Sequence, residues 1–538
     1  MKLNEKWGWF LGFTAVFAAL ATFVFWGTWS SNFAFVQPDS QILFPKTWLG
    51  DFWRGWRTTG SFVPGDLQMI LGEPGWRREL FYALGAYFAG LAMMYFLRGR
   101  GLSRLASYGA GLLLAFCGYW FTLFSAGHGS WFIWMTYGLW PFGLLDRAIT
   151  KGKLKNWLLL GATVGWASYW QIDLWLLFTT FTGVYFIFRC IVERRFPWKG
   201  MLVAGVTMFV IGGAGFRGAI VVGLASRDKQ IEEGQTISPK DKETVDEREQ
   251  RWIFVTNWSL PPAESAEFFI PRLNGDTSCP MTLSLGARYG TGVKPYTGAL
   301  GRPKDAPAGN YRQHSLYVGF VTCLLALVGI AFVFVNAARC RVYDVAFFAV
   351  AAILCWLFSM GRYCEPVYRV IFSLPFGDYL RAPVKWHHLT EFCLCVLAGF
   401  GIEGLFLRLS RVACLKACAL PRGGAIVLIG AIDLARIDHL YCAPVDLREA
   451  KRQNCNMQMT FLRKADFNNP QVAAMVQAKK IVPLAQPNPE MYLVGILQPW
   501  GKNTKPMPPM SATAWLSVLS MIGTLGLAGY GLKRALSK

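Results

Sequence analysis

The chain has 538 residues, 54% of them hydrophobic and only 16% charged, with a formal net charge of +22 and a mean hydropathy of +0.32. Ordinary soluble domains carry about 25% charged residues, so a soluble domain is excluded and a membrane protein is indicated. The basic excess does not point to nucleic acid: Lys and Arg are divided among short clusters instead of forming one patch, which suits topology-setting and contact with anionic lipid head groups.

A helix needs about 20 apolar residues to cross a bilayer, within a range of roughly 17–25. On that criterion the sequence predicts an all-α polytopic protein of about twelve transmembrane helices. The runs are 9–26, 80–97, 105–124, 131–145, 157–170, 174–190, 201–225, 316–335, 345–360, 389–405, a weak one at 425–437, and 514–532. The first is read as a retained span, because no convincing small-residue cleavage site follows it. The short runs 131–145 and 157–170 suit tilted partners opening onto a cavity, since helix ends at membrane depth need protein or water to cover them.

Basic clusters fall in every second gap between these runs: Arg98/Arg100/Arg104, Lys151/Lys153/Lys155, Arg194/Arg195/Lys199, Arg339/Arg341, Arg408/Arg411/Lys416 and Lys533/Arg534/Lys538. By the positive-inside rule both termini are then cytoplasmic and the membrane is the bacterial inner membrane. The expected division is a transmembrane domain over 1–440 with external loops 28–79, 226–315 and 361–388. A small extracytoplasmic region follows over 441–511, then a last helix and basic tail over 512–538.

Each external segment has its own character. The first is aromatic, and Trp48, Trp53, Trp56 and Phe62 suit interfacial helices. The second holds a mixed-charge run over 227–251 that reads as a solvated excursion. The third carries Arg362, Arg369, Arg381, Lys385, His387 and His388, an unusual concentration of basic groups for an external loop. In the fourth, Cys442 could pair with Cys455, with free thiols as the alternative. Most other Cys lie in apolar runs, where Cys behaves as a small hydrophobe. No internal repeat suggests a transporter of inverted halves.

The external loops also carry an ordered set of motifs: SAGHGSWFIWMTYGLWPFGLLDRAI, SYWQIDLWLLF, NWSLPPAESAEFFIPRLNG, YTGALGRP with HSLYVGF, and FSMGRYCEPVYRVIFSLPFGDYLRAPVKWHHLTEFCLCVLAGFGIEGL. In order and spacing this set resembles the YfhO family of bacterial multi-pass membrane proteins, which looks like part of the GT-C superfamily of lipid-dependent glycosyltransferases. The resemblance covers roughly residues 1–440. Two departures stand out. Many family members carry a larger C-terminal extracytoplasmic domain than 441–511, and the WQID segment replaces a more usual His-Pro pair.

The resemblance implies transfer of a sugar from a polyprenyl-phosphate donor to an envelope glycan, lipid-linked polymer or protein on the outer face. Membrane lipids, the envelope acceptor and envelope proteins would be its partners. Such chemistry needs a carboxylate as general base and cations to hold the leaving phosphate, Arg above all. Asp39, in FVQPDSQILF where the family carries an acidic residue, is the first candidate base; its alternative is an N-cap in Pro38-Asp39-Ser40. Asp51, Asp66 and Glu73 share its loop, Asp66 reading as a turn or cap. Asp173 is the second candidate base, since an ionisable group at membrane depth is a functional hypothesis; on a turn in water it would be ordinary. The donor phosphate is assigned to Arg381, Lys385, Arg362 and His128, with snorkelling to head groups as the alternative for the cations. Arg381 is expected near a helix N-terminus, where anions are favoured, and the glycines beside His128 allow close backbone approach. Trp134, Gln171 and Glu264 are assigned to acceptor or sugar, although Glu264 and Glu267 also read as caps. No His-based metal site is expected. One or two carboxylates could hold Mg²⁺ or Mn²⁺ as a cofactor. The competing reading is a non-catalytic membrane scaffold, or an anchor subunit of an envelope assembly, with a GT-C-derived fold.

Overall fold

The computed structural model describes residues 2–27, 29, 33–35, 41–42, 57, 76–125, 129–169, 172–232, 245–273, 316–335, 339–374, 377, 380–411, 419–441, 444–446, 448, 452–453, 455–488, 491–499, 509–511, 515, 518 and 522. The elements in chain order begin with α1 (Lys2–Val24), β1 (Phe33–Phe35), β2 (Gln41–Ile42), α2 (Trp76–Gly99), α3 (Arg104–Ala115) and α4 (Gly118–Ser125). They continue with α5 (Gly129–Lys151), α6 (Leu154–Ala167), α7 (Ile172–Glu193), α8 (Trp198–Glu232) and α9 (Val245–Val255). A 3-10 turn (Pro262–Phe268) follows, then α10 (Phe320–Val335), α11 (Arg339–Ser359), a 3-10 turn (Gly361–Cys364), α12 (Glu365–Ser373) and a 3-10 turn (Pro383–Trp386). The chain closes with α13 (His387–Arg411), α14 (Ala419–Tyr441), β3 (Pro444–Asp446), β4 (Cys455–Arg463), a 3-10 turn (Lys464–Asn468), α15 (Pro470–Gln477), β5 (Ile481–Asn488) and β6 (Met491–Pro499).

The protein is mostly helical. Among the described residues four helices are long and apolar enough to cross a membrane: Trp7–Val24, Asp173–Glu193, Val342–Ser359 and Pro383–Arg411; Trp198–Gly213 and Phe320–Val333 are shorter apolar helices. The expected run 105–124 is two helices. The break comes at Phe116–Cys117 because the Gly118 amide donates to the Tyr317 carbonyl at 2.8 Å instead of continuing the helical ladder. The mixed-charge run expected as a solvated excursion ends in α9, which buries Trp252 and Val255 and leaves Arg248, Glu249 and Gln250 exposed. Its middle, 233–244, lies outside the described residues, as do the aromatic groups Trp48, Trp53, Trp56 and Phe62.

Helix α13 is the hub. It packs on α10, α11, α3 and α14, and 67% of its apolar window is buried, against 22–39% for the other three long helices. Without a hydrophobic drive between helices in lipid, association rests on close packing of small residues. Here a Cβ at Gly401 of α13 would overlap the Leu325 carbonyl of α10, and one at Gly329 of α10 would overlap that of Leu397. The same device joins α6 to α8, where a Cβ at Gly165 would stand 2.7 Å from the Met208 carbonyl oxygen.

Buried charge organises one end of the bundle. Arg100 donates to Asp146 of α5 at 2.8 Å and through Nε to Asp344 of α11 at 3.1 Å. Arg189 of α7 lies 3.2 Å from Asp146 and 3.7 Å from Asp344. Burial alone would lower the Arg100 pKa, and the two carboxylates reverse that effect and raise it above the ordinary guanidinium value. Arg100, which reads in the sequence as one of several topology-setting loop cations, is therefore also an internal counterion.

The small polar region expected over 441–511 is a correction to the all-α reading. It forms an antiparallel sheet in the order β2-β4-β6-β5, with β4 and β6 paired from Cys455↔Pro499 to Arg463↔Met491. Strand β2 comes from the first loop, as does β1, which pairs with β3. Cys455 is a buried free thiol on β4, and Cys442 lies outside the described residues.

The glycine contacts give a first test. Gly401→Val is expected to cost about 1–3 kcal/mol by overpacking and to lower the unfolding midpoint of the purified protein in detergent. Gly183→Ala, at a helical position where a Cβ meets nothing within 4 Å, is expected to leave the midpoint unchanged or slightly raised, since Ala favours the helix.

Candidate functional site

The site is built by the segment leading into α13. Proline disfavours the right-handed helical conformation in the residue before it, and Ala382, preceding Pro383, takes the left-handed region at φ 59°. That backbone is held from outside. The Ala382 amide donates to the Val255 carbonyl at 2.9 Å and the Val384 amide to that of Trp258 at 3.2 Å. Trp258 is itself left-handed at φ 55°. Two non-glycine residues in this region cost of order 1–3 kcal/mol each, and such strain collects at functional sites. Gly361, also left-handed at φ 49°, is required because a Cβ there would collide with Ser259 and Pro383.

This strapped segment turns Lys385 inward. Its ammonium pairs with the Asp173 carboxylate, and the two residues are 4% and 8% exposed. Asp173 stands in the first turn of α7, where a carboxylate is favoured by the helix dipole, and its other oxygen accepts the Leu174 amide at 2.8 Å. Exposed Arg381 lies with its guanidinium 6.0 Å from the centre of the Phe254 ring and near enough to Lys385 to act on it electrostatically. Two cations and one carboxylate thus meet where α7, α9 and α13 begin or end. The arrangement suits an anion arriving beside Arg381 and competing with Asp173 for Lys385.

The other predicted site residues divide. Arg362 is committed elsewhere: its guanidinium donates to the Thr256 and Ile253 carbonyls at 3.1 and 3.0 Å and to Asn257 Oδ1 at 3.1 Å, so it braces the end of α9. Arg369 pairs with Glu365 at 2.8 Å and lies 4.3 Å from the centre of the Trp252 ring. Glu264 is buried in the first turn of its 3-10 helix. Trp134 belongs to α5, and its side chain lies outside the description, as do Asp39, His128 and Gln171 entirely.

His387 and His388 do not sit in an exposed phosphate cluster as the sequence suggested. They are fully buried below Lys385. Their rings approach the two oxygens of Glu391 at 3.8 and 3.7 Å, and Glu391 accepts the Tyr119 amide at 3.3 Å. Asp438 of α14 is equally buried, and among the described residues its carboxylate oxygens make no hydrogen bond. Sequence reasoning missed this polar floor. The signal was the helical spacing of His387 and His388 to Glu391, which sets them on one face. Among the described residues no group of three or more His, Cys, Asp or Glu side chains is arranged to hold a metal. Asp173, with Lys385 on one oxygen and an amide on the other, does not fit a hard cation either.

No family model matches the chain, and no curated protein does. Among solved structures, the oligosaccharyltransferase of Archaeoglobus fulgidus, crystallised with a tethered acceptor peptide, is similar with a TM-score of 0.41 and 11% identity. The match covers 94% of this chain and 63% of that one, so the chain spans less than two thirds of that protein's length. A likeness of this size transfers no activity.

The pair gives a stability test that needs no substrate. Lys385→Met strands Asp173 in the interior and is expected to cost about 3–5 kcal/mol. Asp173→Asn in the same chain removes the stranded charge and is expected to restore most of that loss. Unfolding midpoints of the two single variants and the double variant read the coupling, and additive losses would mean the two side chains do not pair.

Proposed function

We propose that this chain is a GT-C-type membrane glycosyltransferase related to the YfhO family. It would transfer a sugar from a polyprenyl-phosphate donor to an envelope glycan, lipid-linked polymer or protein at the outer face of the bacterial inner membrane. In this reading about twelve helices cross the bilayer, both termini are cytoplasmic, and the sheet of 441–511 lies outside. The observation that carries the reading is the buried Asp173–Lys385 pair beside exposed Arg381.

The chemistry follows from the charges. In the free protein Asp173 holds Lys385 in place. The donor phosphate, arriving beside Arg381, takes over Lys385, because a phosphate is a better partner for paired cations than one carboxylate. Asp173 is released as a base. The acceptor hydroxyl attacks the anomeric carbon as its proton passes to the carboxylate, and the bond from that carbon to the phosphate oxygen breaks. In-line displacement inverts the anomeric centre. The electron pair leaves with the lipid phosphate, whose charge falls on Lys385 and Arg381, groups fixed before the reaction begins. Asp39 stands as the alternative base in the first loop. Arg362 serves this site by bracing the end of α9.

A transfer assay in reconstituted lipid tests the proposal, with radiolabelled polyprenyl-phosphate sugars supplied and release of label followed. Arg381→Gln is expected to weaken donor use at least 10-fold, since charge-assisted contacts are worth about 1.5–3 kcal/mol. Asp173→Asn is expected to lower turnover about 10²–10⁴-fold, the range for a general base, with donor binding tightened, because the phosphate no longer competes with a carboxylate for Lys385. Full turnover in Asp173→Asn moves the base to Asp39. No release by wild type with any donor overturns the enzyme reading in favour of a scaffold.

A further inference from the structure

At the end of the bundle that holds the Arg100 network, helices α1, α3 and α14 enclose a groove of about 500 Å³. That is the scale of a ligand cleft, about 300–1,000 Å³. Its walls are apolar and glycine-rich, with Gly8, Trp9, Gly12, Tyr108, Gly424 and Leu428 among them. The groove opens outward: Gly8 and Gly12 are exposed, and Leu428 is 40% exposed. At Gly8, Gly12 and Gly424 a Cβ would meet nothing within 4 Å. The glycines here are not needed for helix contact, unlike Gly401 and Gly329; they leave room.

The rim is polar and cationic. Tyr108 lies 5.8 Å from Trp9 between ring centres; Arg104 stands one helical turn before it on the same face, and exposed Arg98 donates to the Leu102 carbonyl just ahead of that helix, both arginines close enough to act on the Tyr108 hydroxyl. Arg104 opens α3, and Arg98 lies in the last turn of α2. A Trp at this level suits the membrane interface, and basic pockets between helices recognise lipid head groups. Apolar space with two arginines next to its Leu105–Tyr108 wall is complementary to a lipid with an anionic head.

We propose that this groove is a specific binding site for one anionic phospholipid, with an acyl chain lying along Gly8, Gly12 and Gly424 and the phosphate at Arg98 and Arg104. The site lies at the opposite end of the bundle from Asp173 and Lys385, so it is independent of the glycosyltransferase reading. A lipid there ties α1 to α3 and α14 as a structural ligand.

Native mass spectrometry of the full-length protein, delipidated in mild detergent and titrated with phosphatidylglycerol or phosphatidylcholine of the same acyl chains, tests this. Wild type is expected to retain one phosphatidylglycerol at least 5-fold more tightly than phosphatidylcholine. Gly12→Leu with Gly424→Leu, which places side chains in open space, is expected to abolish retention of either lipid at an unchanged unfolding midpoint. Arg104→Gln, and separately Arg98→Gln, is expected to bring phosphatidylglycerol down towards phosphatidylcholine while the chain still binds. Equal retention of the two lipids by wild type overturns the proposal, as does retention unaffected by the leucine pair, since the lipid is then elsewhere. A wild type that binds neither lipid also overturns it and leaves the groove to a partner helix. Should the leucine pair fail to fold, the arginine variants decide alone: preference for phosphatidylglycerol intact in both sinks the site.

Discussion

A charge inside a helical bundle must find its counterion inside the bundle, and this protein meets that requirement at both ends of one helix. At the start of α7, Asp173 pairs with Lys385 at the entrance to α13. Near its end, Arg189 joins Asp146 of α5 and Asp344 of α11, which Arg100 also holds. The two clusters stand about 24 Å apart along the helix at 1.5 Å per residue. Between them the core is aromatic, with Phe142 and Phe392 at 4.7 Å and Phe96 and Tyr185 at 5.8 Å between ring centres. Helix α7 is thereby fixed at both ends against helices distant in sequence, and the interior has no freedom to slide without separating charges.

The two clusters differ in what a neighbour can do to them. The Arg100–Arg189 cluster balances two arginines against two aspartates, with Glu193 a further 2.6 Å partner of Arg189. Its two arginines cancel its two buried aspartates, and Glu193 stands half-exposed at the edge, which makes it a fastening. The Asp173–Lys385 pair has Arg381 beside it, so one positive charge is in excess among the three and it faces outward. That asymmetry sets the pair apart from the fastening and is what the proposed anion site rests on. The strained backbone at Ala382 and Trp258 supports the same distinction, because strain of this kind is kept where it fixes a side chain that packing alone would not aim.

Much of this was legible one residue at a time. Asp173, Lys385 and Arg381 each stand out in the sequence as ionisable groups beside apolar runs, and the spans around them follow from length and hydropathy. Their partnership was not legible. Asp173 and Lys385 are 212 residues apart, and nothing local to WQID names the lysine that will cover it. Arg362 shows the opposite failure. Its position in a basic external segment suggested phosphate, while its fork is spent on carbonyls at the end of α9 that no local pattern advertises. His387 and His388 read with the exposed cations because both fall in the expected external segment 361–388, whereas the turn that begins at Pro383 buries both. In the C-terminal region, Met457, Met459 and Phe461 alternate with polar residues in β4, a period of two that the surrounding Asn, Gln and Pro obscure.

The sheet changes what the first loop is. Strands β1 and β2 lie on either side of Asp39 in sequence, and both find their partners in the C-terminal region, β1 on β3 and β2 on β4. A loop of this length pays an entropic cost for every contact it makes alone. Main-chain pairing at two points fixes β1 and β2 to the C-terminal strands. The short C-terminal region thus acts as a clamp on the first loop, and not as a separate module attached after α14. Since β4, β5 and β6 form the body of that sheet and β2 pairs with β4 alone, β2 keeps its place only through β4.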